Sequence, residues 1–257
     1  MTVHTLGRFE PLIALACCLR WLTLTRFRVV DIETTGLKPP AEVIEFGRAD
    51  VVFDEGVSAI ERPMARLYRP LNEIPPENMA VHHLTLADFT PEMPVAANDL
   101  LHKAIWGGST PDVLVAHNCA FEQMFLTSEV TDPLPWICTY KAAAMAWPQA
   151  PSHSNQVLRY WLGLDLPADL AMPPHRAGPD AWVTANILAE LLKVASVEDM
   201  LAWTNLPTHM PVINFGKHKG IAWEEVPSDY LAWLKTAEAI NPDARWYAEQ
   251  ELERRSK

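Results

Sequence analysis

A short β-branched run near the start of the chain constrains its fold more than any other stretch. Residues 29–33, Val-Val-Asp-Ile-Glu, predict a buried strand that carries two carboxylates at positions i and i+2. Because alternate residues of a strand point to the same face, Asp31 and Glu33 are predicted to project side by side. Two like charges this close are costly unless a positive charge lies between them, which favours a bound divalent metal. The alternative is an exposed edge strand with two solvated acids, and the pair alone leaves it open.

Composition is typical of an ordinary globular protein. The 257 residues suffice for one sizeable domain, or for one domain with a small appendage. A net charge of −11 argues against a non-specific nucleic-acid coat protein, but a nuclease with a local basic patch stays compatible with it. The four cysteines form no C-x-x-C pair, which argues against a thiolate zinc site and predicts a reducing, cytoplasmic compartment.

An apolar run at residues 11–19 is the only candidate targeting segment. Its length suits a signal peptide, but Arg20 follows directly and no small-x-small cleavage site precedes Arg28. We therefore interpret residues 1–25 as an N-terminal extension, with a signal peptide as the alternative. The run is shorter than the ~20 residues that span a bilayer, so no membrane association is predicted.

The order of predicted elements indicates an α/β fold with a mixed sheet flanked by helices. Residues 42–53 and 59–68 predict two further strands of an antiparallel meander. Residues 113–116 and 136–139 predict short buried strands, each followed by a helix. Helices are predicted over residues 77–82, 94–106, 120–129, 140–147, 178–194 and 197–203.

A change in composition near residue 205 predicts two units. Residues 26–204 would form the α/β domain, and residues 205–257 a small C-terminal module that docks on it because of its size. The aromatic residues of the module, Trp223, Tyr230 and Trp233, are predicted to form its small core. Its lysines, Lys217 and Lys219 beside His218, fit equally a surface for single-stranded nucleic acid and a solvated turn.

Two further acids are predicted to join the pair on the first strand. Glu122 follows the buried strand at 113–116, at the end of the strand where sites in open α/β sheets lie. Asp180 lies near the start of the long helix, and His175 precedes it on a loop. Each acid alone is equally explained by a favourable interaction with the positive end of a helix dipole.

Taken together, the four carboxylates form a hard oxygen-ligand set that suits Mg²⁺ or Mn²⁺ rather than zinc. Two-metal sites stabilise the attacking and leaving oxygens of phosphoryl transfer, so phosphodiester hydrolysis is the predicted chemistry. His175 is the candidate general base, because histidine titrates near neutral pH.

Three segments of the chain, taken in order, resemble the motifs of the DEDDh (DnaQ-like) 3′–5′ exonucleases, which have a ribonuclease-H-like fold. They are DIETTG at 31–36, HNCAFE at 117–122 and HRAGPD at 175–180. The last fits the form H-x-A-x-x-D. The segments WICTYK, FGKHKG and DYLAWL further resemble the exodeoxyribonuclease X branch of that family, to which the C-terminal module is also similar.

The resemblance implies a site for two Mg²⁺ or Mn²⁺ ions. Asp31 would bridge both ions, and Glu33 and Asp180 would complete the shell of the ion that holds the nucleophilic water. Glu122 would serve the second ion, and His175 would be the general base. Where the family usually has Asp, this chain has Glu122, and its extra methylene requires a shifted helix or a relocated second metal.

The same resemblance implies contacts with the 3′-terminal nucleotide, in which Leu37 would wedge against the last base. For His82 a surface position at a helix end is the alternative. The implied substrate-binding residues are Thr34, Thr35, Leu37, His82, Asn118 and Phe121.

The leading functional prediction is a cytoplasmic, metal-dependent 3′–5′ exodeoxyribonuclease. It would act on 3′ ends of single-stranded or duplex DNA and release nucleoside 5′-monophosphates in DNA repair or end processing. An RNA 3′ exonuclease and a polymerase proofreading subunit are alternatives, because a 2′-OH contact can come from almost any loop. A catalytically silent nucleic-acid-binding module is an alternative of another class. Protein partners are left open.

Overall fold

The computed structural model describes residues 24–237 and 240–257. Apart from Leu24 and Thr25, the predicted N-terminal extension lies outside the described residues, and its status stays a prediction. Within those two ranges, no helix has the length and hydrophobicity needed to cross a membrane.

One mixed sheet organises the fold. Its strands are β1 Thr25–Thr34, β2 Val43–Asp54, β3 Val57–Ile60, β4 Met64–Leu67, β5 Val113–Ala116 and β6 Trp136–Cys138. Strand β1 runs antiparallel to β2 and parallel to β5, and β5 runs parallel to β6. The sheet order is β3-β2-β1-β5-β6, and β4 pairs with another part of β2. The predicted mixed α/β sheet is confirmed.

Helices form at most of the predicted positions, with bounds that differ by a few residues. They are α1 Pro76–His82, α2 Asn98–Trp106, α3 Glu122–Phe125, α4 Ser128–Thr131, α5 Thr139–Ala146, α6 Asn155–Trp161, α7 Ala168–Ala171, α8 Ala177–Leu191, α9 Val197–Thr204, α10 Ser228–Thr236 and α11 Pro242–Ser256.

Two predicted elements are divided in the structure. The predicted strand 59–68 is split into β3 and β4 on either side of residues 61–63, which include Pro63, and proline cannot donate a hydrogen bond to a ladder. The predicted helix 120–129 is split into α3 and α4. Leu126 leaves the helical conformation with φ −95° and ψ 73°, and its side chain is buried in the core.

Alternation along β1 divides the core into two layers. Phe27 and Val29 pack with α8 on one face of the sheet, whereas Val30 and Ile32 pack with α2 on the other. Because alternate residues of a strand share a face, Asp31 and Glu33 lie on the same face as Phe27 and Val29. The two acids therefore lie on the side of the sheet that α8 covers.

The C-terminal module has a hydrophobic cluster of its own, in which Trp223 and Leu234 are buried. The core prediction is thus confirmed for Trp223, but it is wrong for Trp233, whose exposed fraction is 51%. Lys141 Nζ joins the two parts of the chain, since it donates hydrogen bonds to the carbonyl oxygens of Thr204 at 3.0 Å and Leu206 at 2.6 Å. The division at residue 205 stays a prediction.

Candidate active site

Three of the predicted acids meet where β1 ends and α8 begins. Ligand oxygens of Asp31, Glu33 and Asp180 all lie within 4.8 Å of one another. Two come from the same face of the strand, and the third comes from the first turn of the helix that covers this face. The structure therefore brings together the strand pair and the third-motif acid, which lie about 150 residues apart in the sequence.

A glycine allows the helix to approach this closely. Gly47 on β2 is the cross-strand partner of Asp31. A Cβ atom at Gly47 would lie 2.1 Å from the backbone carbonyl of Ala177, the first residue of α8. No other residue fits there without displacing the helix, so Gly47 sets the position of Asp180 relative to the strand acids.

The electrostatics of the three acids are unfavourable without a cation. Burial and the charges of Asp180 and Glu33 raise the pKa of Asp31 well above its ordinary value. Burial and the charges of Asp180 and Glu45 raise the pKa of Glu33 to about 8. Burial also raises the pKa of Asp180, although the backbone N–H of His175 donates to it. A compact group of hard oxygen donors with excess negative charge fits a divalent cation.

Glu122 lies beside this group but outside it. Its side chain is 3% exposed, and its Oε2 atom has no hydrogen-bond partner among the described residues. Burial, with the charges of Cys138 and Glu33, raises its pKa to about 8, and its own charge raises the pKa of Asp31. A buried carboxylate oxygen without a partner is costly, so Glu122 also fits a cation ligand, but for a position distinct from that of the compact group.

His175 borders the site from the loop before α8. Its side chain is exposed, and its backbone adopts the left-handed conformation with φ 57°. Its backbone N–H donates to Asp180 Oδ2 at 2.7 Å. This bond holds the histidine next to the acids, while its imidazole stays free of the compact group, as proton transfer from a solvent molecule requires.

An ion pair that was not predicted from the sequence lies against the acids. Glu45 is the cross-strand partner of Glu33 and is buried. It accepts two hydrogen bonds of 2.8 Å from the Arg176 guanidinium and one of 3.0 Å from the Ala177 N–H. The pair fixes the start of α8 on β2, and the Arg176 charge opposes the rise in the pKa of Glu33. A single charged residue within the apolar run at 43–46 was the sequence feature that could have indicated a buried, paired acid.

The predicted substrate-binding residues fall into two groups. Leu37 is 79% exposed on the turn after β1, and Asn118 lines the cleft with a left-handed φ of 71°. Thr34 and Thr35 are buried and bond locally, since Thr34 Oγ1 donates to the Gly36 carbonyl oxygen and Thr35 Oγ1 accepts from the Glu42 N–H. Phe121 is half-buried, with its ring centroid 5.3 Å from that of Phe125.

His82 is not a surface residue, so that alternative is wrong. It is 2% exposed, and its Nδ1 atom accepts a hydrogen bond from the Leu84 N–H at 3.0 Å. Burial lowers its pKa, while the charge of Glu45 opposes this effect. Its other ring nitrogen, Nε2, is also buried, and a hydrogen bond with the backbone of Thr34 favours the protonated ring and so opposes the lowering of its pKa.

A cleft of about 740 Å³ opens over the acids. Such a volume is typical of a site for a small molecule or a few nucleotide units. One side belongs to the α/β domain, and the other belongs to the C-terminal module. Lining residues include Asp31, Asn118 and His175 on the first side and Thr208, Asn241 and Asp243 on the second.

The raised pKa values predict how the metal-free protein responds to pH. Glu33 and Glu122 have folded-state pKa values of about 8, above their ordinary values, so unfolding releases protons between pH ~4.5 and 8. The stability of the metal-free protein is therefore present at low pH and lost as pH rises through this window. In EDTA we expect the Tm at pH 8.5 to be several degrees below that at pH 6, since about 1 kcal/mol corresponds to about 2–4 °C at this size.

Added Mg²⁺ should reverse this trend, because the carboxylates bind the cation when they are deprotonated. The Tm gain from saturating Mg²⁺ should thus be larger at pH 8.5 than at pH 6, as thermal melts at both pH values would measure. Equal Tm gains at both values would contradict the assignment of these acids as ligands.

Comparison with known proteins decides the family. The family model described as Exonuclease (RNase_T) matches residues 29–188, more than half of the chain. The chain belongs to this exonuclease family. It is 30% identical to Exodeoxyribonuclease 10 of Escherichia coli (strain K12) over 232 residues, which cover 88% of this chain and 98% of that protein.

Solved structures agree with the assignment. The structure described as "Exonuclease X in complex with 5′ overhanging duplex DNA" matches with a TM-score of 0.55 and 30% identity, over 70% of this chain and 99% of that one. The nuclease domain of 3′hExo, described as a DEDDh family member, matches with a TM-score of 0.51 and 18% identity over 67% of this chain and 96% of that one, which shows the fold alone. The predicted ribonuclease-H-like fold and DEDDh family are confirmed. The chain is a 3′–5′ exonuclease of a family that depends on divalent metal ions.

Proposed function

We propose that this exonuclease removes nucleotides one at a time from the 3′ ends of DNA and releases nucleoside 5′-monophosphates, in DNA repair or end processing. The compact group of Asp31, Glu33 and Asp180 below an open cleft is the observation that carries the proposal. DNA is the favoured substrate because the relative with 30% identity is named an exodeoxyribonuclease, and the matching solved structure contains duplex DNA. The buried free thiols of Cys119 and Cys138 fit a cytoplasmic location.

The acids would hold two Mg²⁺ or Mn²⁺ ions. Asp31, Glu33 and Asp180 would hold one, and Asp31 with the unpaired oxygen of Glu122 would hold the other. Bound divalent ions supply Lewis-acid stabilisation of the charge that develops on the attacking and leaving oxygens. Because the carboxylates are fixed by strand, helix and burial, they need little reorganisation during the reaction.

His175 would accept the proton of the attacking water at an imidazole nitrogen. The bond between its backbone N–H and Asp180 keeps the loop next to the acids. The water oxygen forms a bond to phosphorus as the bond between phosphorus and the 3′ oxygen of the preceding nucleotide breaks. Solvent protonates the released 3′ oxygen, which gives a new 3′-hydroxyl end, and the imidazolium returns its proton to solvent.

The turn after β1 would hold the terminal nucleotide. Leu37 is exposed there and would pack against the last base, while Thr34 and Thr35 shape the turn through their local hydrogen bonds. Asn118 would contact the strand from the opposite side of the cleft, and Phe121 would support it. His82 is buried at the end of α1 and would act indirectly, by supporting the turn at Thr34 from beneath.

A digestion assay tests the proposal. Single-stranded DNA, duplex DNA with a 5′ overhang, and RNA of the same sequence would each carry a 5′ label and be incubated with Mg²⁺, Mn²⁺ or EDTA. We expect both DNA substrates to shorten stepwise with either metal and nucleoside 5′-monophosphates to accumulate. Shortening of RNA alone would refute the DNA assignment, and identical ladders with EDTA would refute the metal-dependent mechanism.

Glu122 gives a separate prediction about the second ion. Glu122→Gln keeps the shape of the side chain but removes its charge, so we expect kcat to fall roughly 10²-fold or more and half-maximal activity to need more Mg²⁺. Glu122→Asp keeps the charge but withdraws it by one methylene, and a misplacement near 1 Å costs up to about 10²-fold. Mg²⁺ titrations of kcat would measure both effects. An Asp variant more active than the wild type would show that the main chain is already placed for the shorter acid.

A further inference from the structure

A cluster of aromatic and basic side chains lies on the C-terminal module. We call Lys217, His218, Tyr230 and Trp233 the aromatic–basic patch. The ring centroids of Tyr230 and Trp233 are 5.2 Å apart, and those of His218 and Tyr230 are 4.5 Å apart. Lys217 Nζ lies 5.0 Å from the centre of the Tyr230 ring. A concavity of about 350 Å³ is lined by Lys217, Tyr230, Trp233 and Asp229.

The module's core accounts for part of Tyr230, which packs against it, but not for Trp233 or Lys217. Helix α10 buries Leu231 and Leu234 in that core, yet it leaves Trp233 half exposed on another face. A single exposed aromatic residue is ordinary on a protein surface. Here, however, two neighbouring rings and a cation share one concavity, and that convergence indicates a binding surface.

The turn that carries Lys217 is built against the rings. Gly216 adopts φ +63°, and a Cβ atom there would lie 2.6 Å from Tyr230 Oη. The turn is held further by the Gly220 N–H, which donates to the Ile213 carbonyl oxygen at 2.6 Å, and by the Ile213 N–H, which donates to Ile221 at 2.9 Å. The lysine is therefore presented over the ring by a fixed backbone, so that little ordering is needed when a ligand binds.

The chemistry of the concavity favours a nucleotide. Accessible aromatic faces such as those of the half-buried Tyr230 and the exposed Trp233 stack with nucleobases of any sequence, and a lysine beside them suits the adjoining phosphate. Asp229 adds an acceptor for amino groups on a base edge. An apolar ligand would leave the charge of Lys217 poorly solvated, whereas a nucleotide offers both a ring for the aromatic side chains and an anionic group for the lysine. In a chain of net charge −11, such a local cation also offsets the general repulsion of nucleic acid.

We propose that the aromatic–basic patch binds a nucleotide unit of the substrate's single-stranded segment, on the 5′ side of the end that occupies the active site. This inference rests on the proposed function. The module forms one side of the catalytic cleft through Thr208, Asn241 and Asp243, so a strand whose 3′ end lies at Asp31 can leave along the module. A second attachment raises the local concentration of the 3′ end and lowers KM, but it does not touch the reacting atoms.

Kinetics on a series of substrate lengths tests this proposal with the full chain. Trp233→Ala and Lys217→Ala should each raise KM for a 30-nucleotide single strand about 10-fold, leave kcat unchanged, and leave both constants unchanged for a tetranucleotide. Trp246→Ala and Lys235→Ala are matched controls, because these side chains are exposed on the module outside the patch. Neither control should alter KM for either substrate.

Binding in EDTA separates the patch from catalysis. By fluorescence anisotropy, Trp233→Ala should weaken binding of the 30-nucleotide strand about 10-fold, and Lys217→Ala should reduce the dependence of log Kd on log salt by about 0.7. Trp233→Phe keeps an aromatic ring and should bind like the wild type, which guards against a folding defect. Equal effects on long and short strands, or none on the long strand, would overturn the proposal. Failure of the wild type to hydrolyse either strand would instead contradict the proposed function.

Discussion

Asp31→Asn should abolish measurable exonuclease activity, with kcat reduced roughly 10³- to 10⁵-fold. Asp31 belongs to the compact group with Glu33 and Asp180, and its pKa also responds to the charge of Glu122, so it is the acid proposed to serve both ions. Loss of a shared ligand removes several kcal/mol of charge stabilisation from the transition state, and each 1.4 kcal/mol is a factor of ten in rate. Single-turnover digestion of 5′-labelled single-stranded DNA at saturating Mg²⁺ would measure the loss.

The same substitution should stabilise the metal-free protein. Asparagine has nearly the shape of aspartate, but it removes one of several buried like charges, so the Tm in EDTA should rise while the Tm gain from Mg²⁺ shrinks. Asp169→Asn is the matched control, because Asp169 is 73% exposed and should change neither activity nor the Tm response. If the Asp31→Asn protein were inactive but kept the wild-type Tm gain from Mg²⁺, Asp31 would act by a route other than ion binding.

Much of the fold followed from local pattern. The β-branched run that ends in Asp-Ile-Glu is β1, and its alternation places both acids on the face that α8 covers. The short apolar run at 113–116 is the buried strand β5. Such patterns are predictable because strand period and burial act on neighbouring residues. The division of the predicted helix 120–129 was not predicted, because the first helix ends at Leu126 and no glycine or proline stands at that position or next to it.

The acids of the candidate site were predicted from the sequence, and their roles as ligands stay a prediction. The three motifs identified Asp31, Glu33 and Asp180, which meet within 4.8 Å. The resemblance assigned Glu122 to a second ion, and the structure places it outside the compact group, but the sequence did not reveal where its helix begins. The pair of Glu45 and Arg176 was missed for a similar reason. Its partners are 131 residues apart, and only the packing of α8 on β2 brings them together.

His175→Asn should lower kcat roughly 10²- to 10⁴-fold, the range that a positioned general base contributes. Asparagine tolerates the left-handed backbone that His175 adopts at φ 57°, so the loop is expected to keep its conformation. The backbone N–H that donates to Asp180 is retained in the variant. The Tm gain from Mg²⁺ should therefore stay at its wild-type value, in contrast with Asp31→Asn.

The pH profile separates loss of a base from loss of structure. Without the imidazole, the proton of the attacking water must pass to solvent or hydroxide, so the rate of the variant should rise about tenfold per pH unit where the wild-type rate has levelled off. His83→Asn is the matched control, because His83 is also exposed and left-handed, with φ 60°. If His175→Asn kept the wild-type pH profile at a uniformly lower rate, His175 would position the substrate or the acids, and another group would take the proton.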